Sequence, residues 1–390
     1  MASNRFLRSL KIKNLLSFGE QGAEIELQPL NVLIGPNASG KSNLIETIGL
    51  LKAAPDDLGA PIREGGGIAE WLWKGSASPT AEIEAIVTRP QLEMPLRYRI
   101  AFMMSGHRLE LVHEAVKIER DVEFYFYRYQ QGNPFVIVQV DHEKEGRSLR
   151  VEDLDHSQSV LSQKKDADLY PELTYLNRQF GRIRIYREWN LGRHTPARVP
   201  QRTDLPGDYL QEDAGNLALV LSDLERFPDT QSALIEYLKK FYEAVADIKT
   251  IIQGGTVQVF LHEKGLRPMP ATRLSDGTIR FLCLLVVLCH PEPPPLICIE
   301  EPELGMHPDI LPTIAEVLQR ASQRTQLIVT THSDVLVSAL SDAAESVVVC
   351  ERDEAGTQFR RLDSDKLKAW LAKYSLGELW RMGEIGGNRW

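Results

Sequence analysis

Eight residues, Gly35-Pro36-Asn37-Ala38-Ser39-Gly40-Lys41-Ser42, limit what this chain can fold into more than any other feature. They match G-x-x-x-x-G-K-[ST], and the flanking sequence supplies the context that pattern needs. Residues 30–34 form an apolar run that predicts a buried strand ending at the glycine. From Lys41 onward, Leu44, Ile45, Ile48 and Leu51 recur at one-face spacing and predict a helix opening on the loop. Strand, glycine turn and helix in that order aim successive backbone N–H groups at one point, a nest for an anion at a helix N-terminus. Lys41 would then reach the β- and γ-phosphates of a nucleoside triphosphate, and the Ser42 hydroxyl would hold Mg²⁺.

Elsewhere the hydrophobic period sorts the chain. Residues 6–12 and 23–27 alternate apolar and polar, predicting two strands ahead of the one at 30–34. Pro55, Pro61 and the run Gly65-Gly66-Gly67 predict a loop over 53–78. Period-2 segments at 82–87, 98–103, 122–129 and 135–140 alternate with charged turns such as 142–146, the pattern of an antiparallel sheet. Helical spacing returns over 207–247, where Leu217, Leu219, Val220, Leu221 and Leu224 precede a second amphipathic stretch at 233–245. No heptad lasts three or four repeats, which excludes a long coiled-coil arm. The last third runs helix 277–289, strand 296–300, helix 309–322, strand 326–331, helix 334–340, strand 346–351. That rhythm predicts a parallel sheet covered by helices. A near-repeat in the tail, Leu376-Gly377-Glu378-Leu379 and Met382-Gly383-Glu384-Ile385, predicts only packing around Trp380 and Trp390.

Charge and cysteine usage narrow the setting. Lys+Arg 45 against Asp+Glu 54 leaves a formal charge of -9, which excludes a protein coated in basic charge but not a local basic stripe. Cys283, Cys289, Cys298 and Cys350 form no Cys-x-x-Cys pair and sit mostly in apolar runs, predicting buried thiols in a reducing compartment. The most apolar run, 281–288, is far shorter than the ~20 residues a membrane span needs, and the first residues carry no secretory apolar block. A cytoplasmic protein without membrane association is expected.

Three further segments carry candidate chemistry. The apolar run 296–299 ends in Glu300-Glu301, where one carboxylate can hold Mg²⁺ and its neighbour can orient and deprotonate water. By itself such a pair is as readily a solvated strand end. Ser275 and Gly277 stand at the start of a predicted helix, a second phosphate-binding surface or simply an N-cap. An apolar strand, 327–331, leads into His332, which alone is more often structural than catalytic.

The order of these elements resembles the ABC class of P-loop ATPases, in the RecF/SMC/OLD-like branch. The matching residues are Lys11-Ile12-Lys13-Asn14-Leu15-Leu16-Ser17-Phe18, GPNASGKSN at 35–43, LSDGT at 274–278, IEEPELGMHP at 299–308 and TTHS at 330–333. The resemblance is strong over 1–50 and 270–340 and weak between them. It implies an α/β P-loop NTPase fold with a mixed central sheet, an antiparallel β subdomain and a helical subdomain. The implied segments are 1–79 and 255–342 for the two parts of the ATPase lobe, 80–152 for the β subdomain, 153–254 for a connecting and helical region, and 343–390 for a tail. The implied cofactors are ATP and Mg²⁺. Gly35, Pro36, Asn37, Ala38, Ser39, Gly40, Lys41, Ser42 and Asn43 would hold the nucleotide, and Ser42 with Glu300 the metal. Glu301 resembles the catalytic glutamate, 303–308 the D-loop and His332 the switch histidine. Ser275 and Gly277 resemble the signature that caps the γ-phosphate of a partner subunit, so a homodimer with ATP sandwiched in composite sites is implied. The chain departs from the family pattern at Glu300, where many relatives have aspartate, at Asp276 in place of a common glycine, and at Leu16, where some have arginine. For the glutamine loop, Gln179 and Gln201 are the candidates. Arginine fingers of ring-forming ATPases are not identifiable.

The output is less constrained. Arg182, Arg184, Arg187, Arg193, Arg198 and Arg202 crowd one stretch in which Glu188 is the only acid. They could contact a DNA backbone, with Arg182, Arg184 and Tyr186 along one strand face, or serve internal ion pairs and the nucleotide. The 58 residues after His332 are too few for an appended nuclease domain. Two outputs therefore stand: an ATPase acting on DNA in repair, chromosome maintenance or phage defence, or a nucleotide-gated switch controlling a separate effector protein such as a nuclease or toxin.

Overall fold

The computed structural model describes residues 5–77, 79–89, 94–118, 124–130, 132–140, 143–148 and 154–387. Two compact units divide the chain. Met1–Ile183, Glu345–Asp363 and Gly383–Trp390 make the first, Arg184–Ala344 and Ser364–Met382 the second.

In the first unit an eight-stranded antiparallel sheet runs in the order Ala23–Glu26, Leu7–Lys13, Ala81–Val87, Leu96–Ser105, Arg108–Ile118, Tyr125–Gln130, Asn133–Val140, Glu143–Ser148. Strict alternation drives it: Ala81, Ile83, Ala85 and Val87 are buried while Glu82 and Glu84 point outward. Outward residues pair across strands, Arg99 donating to both Glu82 carboxylate oxygens at 2.8 and 2.7 Å. Two expectations change here. The charged segment expected as a turn is the edge strand Glu143–Ser148, held by its ladder to Asn133–Val140 rather than by apolar residues; His142 lies outside the described residues. Of the segment expected at 122–129, residues 122–123 lie outside the described residues, and the strand is Tyr125–Gln130. The expected loop over 53–78 holds two short helices, Ala60–Glu64 and Ile68–Trp71, because Ile62, Ile68 and Trp71 find cover.

The same unit carries the strand of the phosphate loop. Leu30–Ile34, buried at all five positions, runs parallel to Val347–Asp353 with Val347 opposite Val32 and Val349 opposite Ile34. Gly356–Arg361 then pairs antiparallel with Val347–Asp353, so this sheet is mixed.

In the second unit Leu296–Glu300 lies between Arg184–Tyr186 and Gln326–Thr330, both parallel to it. Helices Asp276–Leu288, Leu311–Ser322 and Asp334–Ser338 follow the predicted rhythm within two residues at most ends. The expected helical stretch divides into Leu217–Leu224 and Pro228–Phe241, and Val245 opens the hairpin Val245–Gln253 with Thr256–Glu263. The tail repeat has no common role: Gly377 lies so close to the Asp334 carbonyl that a Cβ would stand 2.0 Å from it, whereas Gly383 takes φ +82° beyond a helix end. Trp380 is buried and Trp390 lies outside the described residues. All four cysteines are buried. Among the described residues no helix is long and apolar enough to cross a membrane.

Candidate nucleotide site

The loop after Leu30–Ile34 is shaped by two glycines with different neighbours. Gly35 takes φ +149°, and a Cβ there would stand 2.2 Å from the Cys350 carbonyl oxygen. Gly40 takes φ +101°, and its Cβ would stand 2.2 Å from Thr357 Oγ1 and 2.8 Å from Ser17 Oγ. Thr357 is fully buried, 2.7 Å from the Ser17 hydroxyl and 2.9 Å from the Ser39 carbonyl, so it braces the loop from beneath. Ala38, with φ +64°, and Asn37 form the exposed crest.

Helix Lys41–Ala53 opens on this loop with no side-chain cap and no acid in its first turn. Its first N–H groups and their partial positive charge therefore face the loop. Lys41 is buried, and its ammonium donates to the carbonyls of Gly35 at 2.8 Å and Pro36 at 3.0 Å. The Ser39 hydroxyl is buried without a hydrogen-bond partner, while Ser42 is exposed and Asn43 half-buried. A cradle that a Cβ would fill, a cation at its rim, an uncapped helix start and an orphaned hydroxyl fit a triphosphate.

The second unit holds the remaining candidates. Glu300 and Glu301 end the strand Leu296–Glu300, and the chain turns at Glu301 with φ +46° while the Glu301 N–H donates to the Thr330 carbonyl at 3.0 Å. Glu300 Oε1 lies 3.2 Å from Arg187 Nε, and Glu301 Oε1 lies 3.6 Å from His332 Nε2. The third carboxylate is Glu303, which the sequence places only as the first residue of the segment resembling the D-loop. Its Oε1 accepts from the Thr331 hydroxyl at 2.6 Å and the His332 N–H at 2.8 Å, and burial pushes its carboxyl above the ordinary range.

Ser275 caps helix Asp276–Leu288, its Oγ accepting from the Thr278 N–H at 3.1 Å. Gly277 faces Gly305, whose carbonyl would stand 3.3 Å from a Cβ at 277. The signature start and the turn after Glu301 therefore lie so close that a side chain at 277 would press on the Gly305 carbonyl. Ser275 and Asp276 remain exposed, Asp276 paired with Arg198.

That pairing changes the reading of the arginine stretch. Arg198 is buried, donates to the carbonyls of Leu191 at 2.7 Å, Ala271 at 3.2 Å and Leu274, and so holds the turn before the signature. Arg187 meets Glu300, Arg202 pairs with Asp204 at 2.5 Å and Arg184 stacks over the Tyr209 ring. Tyr186 is buried, donating to the Leu210 carbonyl at 2.8 Å, so it offers no stacking face beside Arg184. Arg193 is exposed. Gln201 is also spoken for: its amide nitrogen donates to the Pro196 carbonyl and its oxygen caps the Ala218 N–H, both within hydrogen-bond range at 3.0 and 2.8 Å. Gln179 lies half-buried near the end of helix Pro171–Gly181.

These elements define a P-loop ATPase fold of the ABC type. Over residues 30–338 the chain matches the family described as "AAA domain, putative AbiEii toxin, Type IV TA system". That match spans most of the chain and every candidate residue above, and the chain belongs to this family. Solved structures similar to it are heads of Smc proteins. An Smc head bound to the C-winged helix domain of ScpA shares 14% identity at a TM-score of 0.58, covering 93% of this chain and 99% of that one. The Smc head of Pyrococcus furiosus, with an extended coiled coil and bound to the C-terminal domain of ScpA, shares 13% at 0.59 over 94% and 99%. That of Pyrococcus yayanosii shares 11% at 0.52 over 94% and 99%. No curated protein matches the chain.

Proposed function

We propose that the chain is an ATP-hydrolysing switch. The observation that carries this reading is the braced, uncapped loop Gly35–Ser42 with Lys41 buried at its rim. The first N–H groups of helix Lys41–Ala53 bind the phosphate oxygens, Lys41 leaves its two carbonyl partners to balance their charge, and Ser42 and Glu300 would hold the metal. Bound Mg²⁺ supplies charge neutralisation on the triphosphate. Glu301 orients the attacking water and accepts its proton, and His332 holds the Glu301 carboxylate in place. Ser275 and Gly277, exposed or half-exposed at a helix start, face the nucleotide of a second copy, giving a homodimer with shared sites.

For the output we place a separate effector protein before DNA. At least four of the six arginines that suggested a DNA contact are engaged within the chain, one of them on Glu300. The family's printed description names a toxin–antitoxin system, and the similar Smc heads are described bound to domains of another protein. DNA remains the second reading, through the Arg182–Arg202 segment, in which Arg193 is exposed.

Glu301→Gln tests the reaction. The variant should bind ATP as the parent does, lose about 10²-fold or more of the hydrolysis rate, and dimerise with ATP when followed by light scattering. Full hydrolysis by Glu301→Gln, or no ATP-dependent dimer, overturns the corresponding half of the proposal. A gel shift whose affinity falls steeply with salt would move DNA to first place.

A further inference from the structure

Glu303 is the carboxylate of the 300–303 cluster that the reaction above leaves unused, and its surroundings are the most specific. Oε1 takes two donors from the strand end that carries the histidine, the Thr331 hydroxyl and the His332 N–H. The Thr331 oxygen also accepts from the Ser333 N–H at 3.0 Å, so the chain on either side of His332 is tied to this one carboxylate. Oε2 is buried and makes no hydrogen bond. A buried oxygen without a partner costs free energy, and nothing about holding a strand end requires it to be a carboxylate's.

Glu303 also belongs to a tight turn. The Leu304 N–H donates to the Glu301 carbonyl at 3.1 Å and the Met306 N–H to the Glu303 carbonyl at 3.0 Å, with Gly305 at φ +69° between them. The Gly305 carbonyl lies against Gly277, the second residue of the signature helix. Gly277 neighbours the Gly305 carbonyl, Gly305 lies in the turn that starts at Glu303, and Glu303 holds the His332 backbone, whose ring lies beside Glu301, all within one compact unit.

We infer that Glu303 is a positioning residue that locks this turn to His332, so that displacement at the signature start reaches the His332–Glu301 pair. The inference rests on the ATPase reading. Burial raises the Glu303 carboxyl, and a proton on Oε2 would leave Oε1 accepting both donors. Because both donors converge on Oε1, the lock depends on an acceptor oxygen at that position and not on a negative charge.

That distinction makes the test. Glu303→Gln keeps an acceptor oxygen at the Oε1 position; Glu303→Ala removes it. Glu303→Ala should lower kcat about tenfold, the worth of one to two lost hydrogen bonds, while ATP affinity and KM stay within about twofold. Glu303→Gln should restore most of kcat. Independently of turnover, the His332 imidazole resonance, assigned by its loss in His332→Gln, should move in Glu303→Ala and not in Glu303→Gln. A folded Glu303→Ala with parental kcat and an unmoved His332 resonance overturns the inference, and so does an equal loss in both variants. If the parent protein does not hydrolyse ATP, the proposed function fails, and the resonance still decides whether Glu303 positions His332.

Discussion

Gly40→Ala separates the two reasons for a glycine in the phosphate loop. Backbone conformation is one: φ +101° for a residue with a Cβ costs about 1–3 kcal/mol. Space is the other, since the new methyl would stand 2.2 Å from Thr357 Oγ1 and 2.7 Å from its Cγ2. Thr357 is fully buried and must move, giving up contacts to the Ser39 carbonyl and Ser17 hydroxyl worth about 1 kcal/mol each. Gly40→Ala should therefore cost roughly 3–5 kcal/mol, a large share of the ~5–15 kcal/mol a folded protein has to lose. Thr357→Ala alone loses the same contacts and should cost about 1–3 kcal/mol. Combined, the substitutions should cost less than their sum by about 1–2 kcal/mol, because the Thr357 contacts can be lost only once and the clash disappears. Urea unfolding followed by tryptophan fluorescence measures the cycle, with Trp71 and Trp73 in the same unit as the loop. ATP binding by calorimetry should weaken in Gly40→Ala and recover in part in the double variant. Strict additivity would show that Thr357 does not brace the loop.

Two further outcomes follow from pairings and burial. Arg187→Ala should lower the Mg²⁺ concentration for half-maximal hydrolysis, because the guanidinium now competes for Glu300; the shift should be only about two- to fivefold, since a partly exposed cation is screened. A Mg²⁺ requirement that stays the same or rises would refute that competition. Burial pushes the thiols of Cys283 and Cys350 up to about 12 and Cys289 up to about 11, so at pH 8 they carry their protons and lack the thiolate that reacts. A disulfide reagent should label them only on unfolding, and fast labelling of the native protein would refute their burial.

The parts of the fold legible in the sequence are those where one short stretch carries its own constraint. Leu30–Ile34 and the helix from Lys41 are set by period and by a loop whose spacing is chemical, and the strand–helix rhythm after 276 is set by continuous apolar runs. What was not legible depends on distant partners. Arg108–Ile118 escapes a period-2 search because the register slips between Ala101 and Phe102 on its neighbour, and three consecutive residues, Glu114, Ala115 and Val116, are all buried instead of alternating. Glu143–Ser148 has almost no apolar side chain to announce it and exists as one side of a ladder. Nothing in a six-residue window around Thr357 tells that it supports a loop more than three hundred residues earlier.

The arginine stretch shows the same physics acting on function. Six arginines in a stretch with a single acid look like a phosphate-binding stripe when only charge density is counted. Yet a guanidinium carries five donors in a rigid fork, and in a chain with a surplus of carboxylates and buried turn carbonyls that fork has partners at home. Arg198 satisfies three carbonyls and the signature's Asp276; Arg187 meets the carboxylate expected to hold the metal. Charge that seemed to look outward is thus spent within the chain, part of it on residues of the candidate site. Asp276 stands where relatives often have glycine, and its side chain is what Arg198 holds, so the departure from the family pattern and the burial of this arginine are one feature. The pair fixes the start of the helix that Ser275 caps, the surface that the proposed dimer would turn to a second copy's nucleotide.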